Sequence, residues 1–233
     1  MIPWLGPEPV FPPTRLALRE PNGLLAAGGD LSPQRILAAY SQGIFPWFSE
    51  GEPILWWSPA PRMVLCPAEL KVSRSMDKVL RNQRYEIRVD TAFRAVMSAC
   101  AEPRGQQQGT WIVPEMVEAY CLLHQLGYAH SFETWVDGEL VGGLYGIGLG
   151  LMFYGESMFS RRSNASKLAF IHMVRHLQAQ GVTMIDCQMH TRHLQSLGAK
   201  LVSRQTFLAT LKENARRAQP VAMWNYRYTH EPS

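Results

Sequence analysis

The fold is decided between residues 130 and 144, where the chain reads His130-Ser131-Phe132-Glu133-Thr134-Trp135-Val136-Asp137-Gly138-Glu139-Leu140-Val141-Gly142-Gly143-Leu144. His130 to Val136 and Leu140 to Leu144 flank Asp137-Gly138, a dipeptide that tolerates the positive φ values a two-residue hairpin turn demands. Downstream, Leu149 to Tyr154 reads as an apolar strand, Lys167 to Gln180 as a helix stopped by Gly181, and Val182 to Asp186 as a buried strand. Thr191 to Gly198 is a short helix, after which Lys200 to Val202 with Phe207 returns to the sheet. Upstream, Arg62 to Cys66 and Tyr85 to Val89 are strand-like. Ser73 to Asn82, Thr91 to Cys100 and Pro114 to Leu126 are helical, the last ended by Gly127. An antiparallel hairpin set among alternating strands and helices makes this a mixed α/β protein.

The first 62 residues have a different texture. Residues 1–20 are Pro-rich and extended. Ser32 caps a helix that Pro33 opens and Gly43 ends, with Ile36, Leu37, Ala39 and Tyr40 on its apolar face. Phe45, Trp47, Phe48, Trp56 and Trp57 then crowd into thirteen residues broken by Pro46 and Pro53. Their spacing fits neither a helix nor a strand. Rings on such a segment either plug a core or line an apolar pocket. A boundary near residue 62 divides a small N-terminal domain, 1–62, from a larger sheet domain, 63–233.

Composition narrows the class. The chain has 233 residues, is 46% hydrophobic and 18% charged, and carries a net charge of +4, ordinary for a globular protein and compatible with an anionic partner. Cys66, Cys100, Cys121 and Cys187 are scattered without a C-x-x-C pair, which argues against a disulfide framework or a zinc knuckle. The N-terminus lacks a basic region followed by an apolar run, and the charge-poor stretch 140–155 is too short and glycine-rich to span a bilayer. The expectation is a cytoplasmic protein with no membrane segment.

Two strand ends run into carboxylates: Phe153-Tyr154-Gly155-Glu156 and Met184-Ile185-Asp186-Cys187-Gln188. Ligands in open α/β sheets collect beside strand C-termini, so each carboxylate is either solvated or shifted for acid–base work. His172 and His176 share a helix face, but no H-E-x-x-H pattern occurs and no metal is expected. Cys187 beside Asp186 reads as a buried structural thiol, since a neighbouring anion opposes thiolate formation. Lys71, Arg74, Lys78 and Arg81 form a basic cluster, three of them on one helix face, either a solvated face or a phosphate-contacting patch.

Longer motifs add a resemblance. They are Glu20-Pro21-Asn22-Gly23-Leu24-Leu25-Ala26, Gly28-Gly29-Asp30-Leu31-Ser32-Pro33, Gly43-Ile44-Phe45-Pro46-Trp47-Phe48, Leu55-Trp56-Trp57-Ser58-Pro59 and Gly109-Thr110-Trp111-Ile112. Gly155-Glu156-Ser157-Met158-Phe159-Ser160, Asn164-Ala165-Ser166-Lys167, Ile185-Asp186-Cys187-Gln188 and Ser196-Leu197-Gly198-Ala199 continue the series. Together these resemble the leucyl/phenylalanyl-tRNA–protein transferases; the Gln-rich stretch 104–108 departs from the pattern. The resemblance implies an enzyme with a GNAT-like acyltransferase domain, its sheet mixed and largely antiparallel, and no metal or coenzyme. It would move Leu or Phe, and Met less readily, from aminoacyl-tRNA to the N-terminal Arg or Lys of acceptor proteins and mark them for degradation. The run from Ser160 to Ser166 contains no glycine, whereas a coenzyme A pyrophosphate would need a glycine-rich turn there.

On this reading Asp186, Gln188 and Glu156 are the candidate catalytic residues. Gln188, oriented by Asp186, would contact the attacking amine, with Asp186 or a water taking the proton. Trp47 and Trp111 would be ring platforms for the terminal adenosine and the aminoacyl group. Tyr120, Phe153, Met158, Phe170 and Ile185 would form the aminoacyl pocket or else plain core. Lys71, Arg74, Lys78 and Arg81 would hold acceptor-stem phosphates. Trp56 and Trp57 would anchor the small domain, and a monomer is the default.

Overall fold

A computed structural model of the chain describes residues 2–103 and 112–231. A small sheet comes first, in the order β1-β2-β4-β3, from β1 (Trp4–Leu5), β2 (Leu24–Gly28), β3 (Phe45–Pro46) and β4 (Leu55–Trp57). Helix α1 (Pro33–Tyr40) lies between β2 and β3, and Ser32 Oγ accepts the Arg35 N–H at 3.4 Å as its N-cap. Ile36, Ala39 and Tyr40 are fully buried beneath it.

The larger sheet begins at Arg62. Its eight strands are β5 (Arg62–Leu65), β6 (Tyr85–Val89), β7 (Ala129–Val136), β8 (Glu139–Leu149), β9 (Met152–Ser160), β10 (Met184–Gln188), β11 (Lys200–Val202) and β12 (Arg227–His230). They stand in the order β11-β5-β10-β9-β8-β7-β6-β12. Every neighbouring pair is antiparallel except β9 and β10. Asp137 and Gly138 turn β7 into β8 with φ of 53° and 79°, as the hairpin dipeptide requires.

Helices α3 (Phe93–Ala101) and α4 (Pro114–Gln125) cover one face, where Tyr145, Ile147 and Tyr154 join Trp56 and Tyr40 in a single core shared with the small sheet. Helices α2 (Arg74–Asn82) and α5 (Ala165–Ala179) cover the other, over Leu144, Phe153 and Ile185. Gly142 lets α5 approach, since a Cβ there would lie 2.5 Å from that of Ala165. Short α6 (Arg192–Ser196) follows β10, and α7 (Arg204–Asn214) returns to the small sheet, its Phe207 against Gly43.

Two sequence expectations are corrected. Phe207 belongs to α7, not to the sheet, because Ser203 caps a helix there by accepting the Thr206 N–H. The strand expected at 149–154 instead runs from Met152 to Ser160, since its pairing with β8 continues past Gly155. The aromatic tail is structural: β12 pairs with β6, and the Trp224 ring stacks on His130 at 3.6 Å. The tail also accounts for the helical histidines. His172 is hydrogen-bonded between the hydroxyls of Tyr85 and Tyr226, and burial lowers its pKa to about 4. His176 Nε2 donates to the Met223 carbonyl. Among the described residues no helix is long and apolar enough to cross a membrane.

Candidate active site

The chemistry gathers where β9 and β10 part. Their parallel ladder runs from Met152–Met184 to Tyr154–Asp186 and stops, while β9 continues to Ser160 along β8 alone. Both strands bulge at the opening. On β9, Gly155 pairs with Gly146 and Ser157 with Tyr145, which leaves Glu156 as the extra residue. Gly146 permits this, because a Cβ there would sit 2.2 Å from the Tyr154 carbonyl oxygen. On β10, Asp186 pairs with Val64 and Gln188 with Met63, leaving Cys187 extra and Gln188 at φ 60°. A bulge re-aims side chains and ends pairing. Here two bulges turn Glu156 and Gln188 toward one another.

Beside them lies a cleft of about 470 Å³. Phe45, Pro46 and Trp47 form one wall, and Met158 of β9 with Phe170 and Met173 of α5 form another. Ile185, Gln188, Met189 and Leu194 complete it. The lining is mainly apolar with Glu156 and Gln188 as its convergent polar groups, the composition of a site for an apolar ligand with a polar end.

Glu156 Oε1 accepts two hydrogen bonds, from Tyr40 Oη at 2.7 Å and from Gln188 Nε2 at 2.7 Å. Tyr120 Oη, 2.6 Å from Tyr40 Oη, extends the chain inward. Glu156 Oε2 is enclosed without a hydrogen-bond partner. Burial therefore pushes the Glu156 carboxyl up to about 8, against the bond from Tyr40 and with help from the nearby Asp186 carboxylate. The buried hydroxyls of Tyr40 and Tyr120 are raised well above their ordinary value by the same desolvation. With Nε2 committed to Glu156, the Gln188 amide presents its carbonyl oxygen as its remaining polar atom.

Asp186 is fully buried. Arg62 Nε donates to its Oδ1 at 2.8 Å and Arg62 Nη2 to its Oδ2 at 2.6 Å, a planar fork on a carboxylate. The Gln188 backbone N–H also donates to Asp186 Oδ1, at 2.9 Å. The Arg62 guanidinium lies 4.8 Å from the Phe45 ring and 4.7 Å from the Phe207 ring. Cation–π contact of a desolvated guanidinium is worth about 2 kcal/mol or more, which offsets leaving Nη1 without a partner.

The family model of the leucyl/phenylalanyl-tRNA protein transferase matches residues 64–212, and the model of that family's N-terminal domain matches residues 29–60. The chain belongs to the leucyl/phenylalanyl-tRNA–protein transferase family. A leucyl/phenylalanyl-tRNA–protein transferase of Chromobacterium violaceum is 78% identical over 233 residues, the whole of both chains. That of Nitrosospira multiformis is 64% identical over 91% of this chain and 92% of its own, and that of Pseudomonas fluorescens 56% identical over 92% and 95%. The chain is thus an aminoacyltransferase.

In this transferase, the cleft collects Trp47, Met158, Phe170, Ile185, Glu156 and Gln188 from the residues singled out in the sequence. Three others lie elsewhere. Phe153 is fully buried under α5, its ring 6.0 Å from that of Trp224 and outside the cleft lining. Tyr120 is fully buried on α4 and reaches the site only through its hydroxyl. Asp186 borders the site but is sealed from solvent behind Arg62. Trp111 lies outside the described residues. Glu156 is a mid-strand residue, not a strand end. Trp56 donates to the Gly28 carbonyl and packs on Phe11 in the shared core, whereas Trp57 Nε1 donates to the Trp47 carbonyl at 2.6 Å and its ring lies against that of Trp47.

Arg62 and Tyr40 were missed as site residues. Arg62 opens a strand, where an arginine has no distinctive spacing, and Tyr40 sits at an ordinary core position of an amphipathic helix. Met76 and Leu80 bury the inner face of α2, leaving Arg74, Lys78 and Arg81 exposed, although Arg81 is bonded to Asp77 at 2.6 Å. The Lys71 backbone is joined to Leu197, just past α6. Before α5, Ser160 Oγ accepts the Ser166 N–H at 3.3 Å, so a side chain already occupies a donor that a coenzyme pyrophosphate would use. Burial holds the Cys187 thiol far above its ordinary pKa, with Asp186 adding to the shift.

Proposed function

We propose that the chain transfers Leu or Phe, and Met less readily, from aminoacyl-tRNA to the N-terminal Arg or Lys of acceptor proteins, marking them for degradation. The observation that carries this reading is the pairing of a mainly apolar cleft with Glu156 and Gln188 at its polar end. The parting of the parallel strands β9 and β10 supports a GNAT-like acyltransferase sheet, with 1–62 as a separate small domain.

The reaction is ester aminolysis. The acceptor's α-amine attacks the aminoacyl carbonyl carbon, a C–N bond forms, the ester C–O bond breaks, and the amine's proton ends on the departing ribose oxygen. Gln188 offers its carbonyl oxygen to an N–H of the amine and so aims the lone pair. Glu156 holds the proton in transit. Its pKa of about 8 matches an α-amine at about 7.7–8.0, so the transfer is close to balanced in either direction. The aminoacyl side chain occupies the space among Met158, Phe170 and Ile185, with Trp47 against the terminal adenosine. An adjoining hollow shares Met158 and His193 with the cleft, and the acceptor's cationic first residue reaches its Glu102 in competition with Arg161, which bonds that carboxylate at 2.7 Å. Lys71, Arg74 and Lys78 hold phosphates of the acceptor stem without reading its sequence.

The test is incubation of the protein with labelled Leu-tRNA and a peptide beginning with Arg. Label is expected on the peptide's N-terminus. Absence of transfer from Leu-, Phe- and Met-tRNA overturns the reading.

A further inference from the structure

We infer that Arg62 is a positioning residue for the transfer, acting through Asp186 on Gln188 and tying the aromatic wall of the cleft to the wall that carries Gln188. Resting on the transfer reaction proposed above, the assignment starts from what Gln188 lacks. The β9–β10 ladder ends at Asp186, so no strand on that side holds Gln188. Its φ of 60° is one a glutamine does not adopt unaided. The Asp186 carboxylate supplies the hold, because Oδ1 accepts the Gln188 N–H across the bulge. That carboxylate is oriented by Arg62, whose Nε and Nη2 take one oxygen each.

The geometry also limits what Asp186 does. Both oxygens are engaged and the side chain is sealed from the cleft, so Asp186 does not take the amine's proton, and its hold on Gln188 is positional. Arg62 reaches further than this one pair. Phe45, which lies against its guanidinium, lines the cleft two residues before Trp47, and Phe207 on the other side belongs to α7. One flat cation therefore joins the aromatic wall of the cleft, through Phe45, to the strand that carries Gln188, through Asp186. Lysine would keep the charge but offers neither the two-pronged fork nor a planar face for two rings.

The experiment compares Arg62→Lys, Gln188→Ala and the double variant in single-turnover transfer, with the KM for aminoacyl-tRNA and the thermal melt followed alongside. Arg62→Lys is expected to slow transfer by about a hundredfold, the usual cost of misplacing a reacting group by a fraction of its reach. KM should hold within about threefold, because the contacts that bind tRNA are elsewhere. In the Gln188→Ala background the same change should cost less than about twofold, since an effect routed through Gln188 is lost with it. A wild-type rate in Arg62→Lys overturns the inference, and so does a slowing that persists undiminished without Gln188. If Arg62→Lys gives no cooperative melt, Phe45→Leu with Phe207→Leu loosens the clamp while keeping the ion pair. That pair should slow transfer in the wild-type background and not in Gln188→Ala, and equal slowing in both overturns the inference. Wild-type protein that transfers to no peptide sinks the reaction itself, an outcome separate from any of these.

Discussion

Asp186 on β10 and Glu156 on β9 are carboxylates beside the same cleft, and they are surrounded in opposite ways. Asp186 meets a guanidinium with both oxygens and a backbone N–H besides. Glu156 receives two hydrogen bonds from neutral donors, Tyr40 and Gln188, on one oxygen and leaves the other enclosed without a partner. A third buried carboxylate shows that the emptiness is not the fold's habit. Glu133, away from the cleft, fills both oxygens with four donors, from the Ala92 N–H, Ser131, Thr91 and Trp135. A fully matched carboxylate builds structure, whereas a half-matched one keeps an open proton site. The difference assigns geometry to Asp186 and proton traffic to Glu156.

The largest effect should come from breaking the matched member. Asp186→Ala strands the Arg62 charge in the interior, and loss of one partner of a buried pair costs about 3–5 kcal/mol of stability. Urea titration should show the midpoint falling accordingly, and transfer should be lost along with it. A variant of native stability would mean that Arg62 finds water or another anion, and the contrast between the two carboxylates would fail. Glu156→Gln should behave the other way. It keeps the shape and the neighbours Tyr40 and Gln188 but cannot take a proton, so transfer should slow by about 10²–10⁴ while stability at neutral pH is held or gains.

The pH dependence sharpens the same point. The Glu156 pKa is raised from 4.5 to about 8, so across that window the folded protein keeps a proton that the unfolded chain has released. Stability contributed by Glu156 is then full below the unfolded value and declines as pH rises toward about 8, beyond which no further loss follows. The transfer rate should rise over the same range as the base form appears. Thermal melts and rate profiles of Glu156→Gln should lose both slopes, and unchanged slopes would move the titrating group elsewhere.

How much of this could be read from residues alone follows a physical line. Asp137-Gly138 and Ser32-Pro33 announced themselves, because turns and caps place their demands on the residues that form them. Glu156 and Gln188 were legible as carboxylate and amide after apolar strands. The bulges were not, since an inserted residue changes which face a side chain takes without changing the alternation around it. Phe153, open from the sequence as pocket or plain core, is core under α5. The Arg62–Asp186 pair joins residues 124 positions apart, and neither position says that the other exists. The tail strand β12 was passed over for the same reason: its partner β6 lies far up the chain.

The smallest effect concerns the wall opposite the two carboxylates. Trp47 is 39% exposed, its ring tilted against Trp57 at 5.3 Å, and Trp57 Nε1 bonded to its carbonyl. Two contacts hold the indole open toward the cleft when nothing stacks on it, which is the arrangement of a platform and not of a plug. Removal by Trp47→Ala should weaken aminoacyl-tRNA binding by about 1–3 kcal/mol, the value of one stacked base. The loss should fall on KM, because a stacked base is held equally in the ground state and the transition state. Trp57→Ala should reproduce a part of it by letting the Trp47 ring turn. A Trp47→Ala enzyme with native KM and reduced kcat would instead place the ring among the groups that align the reaction. It would then belong with Gln188 on the geometric side of the comparison.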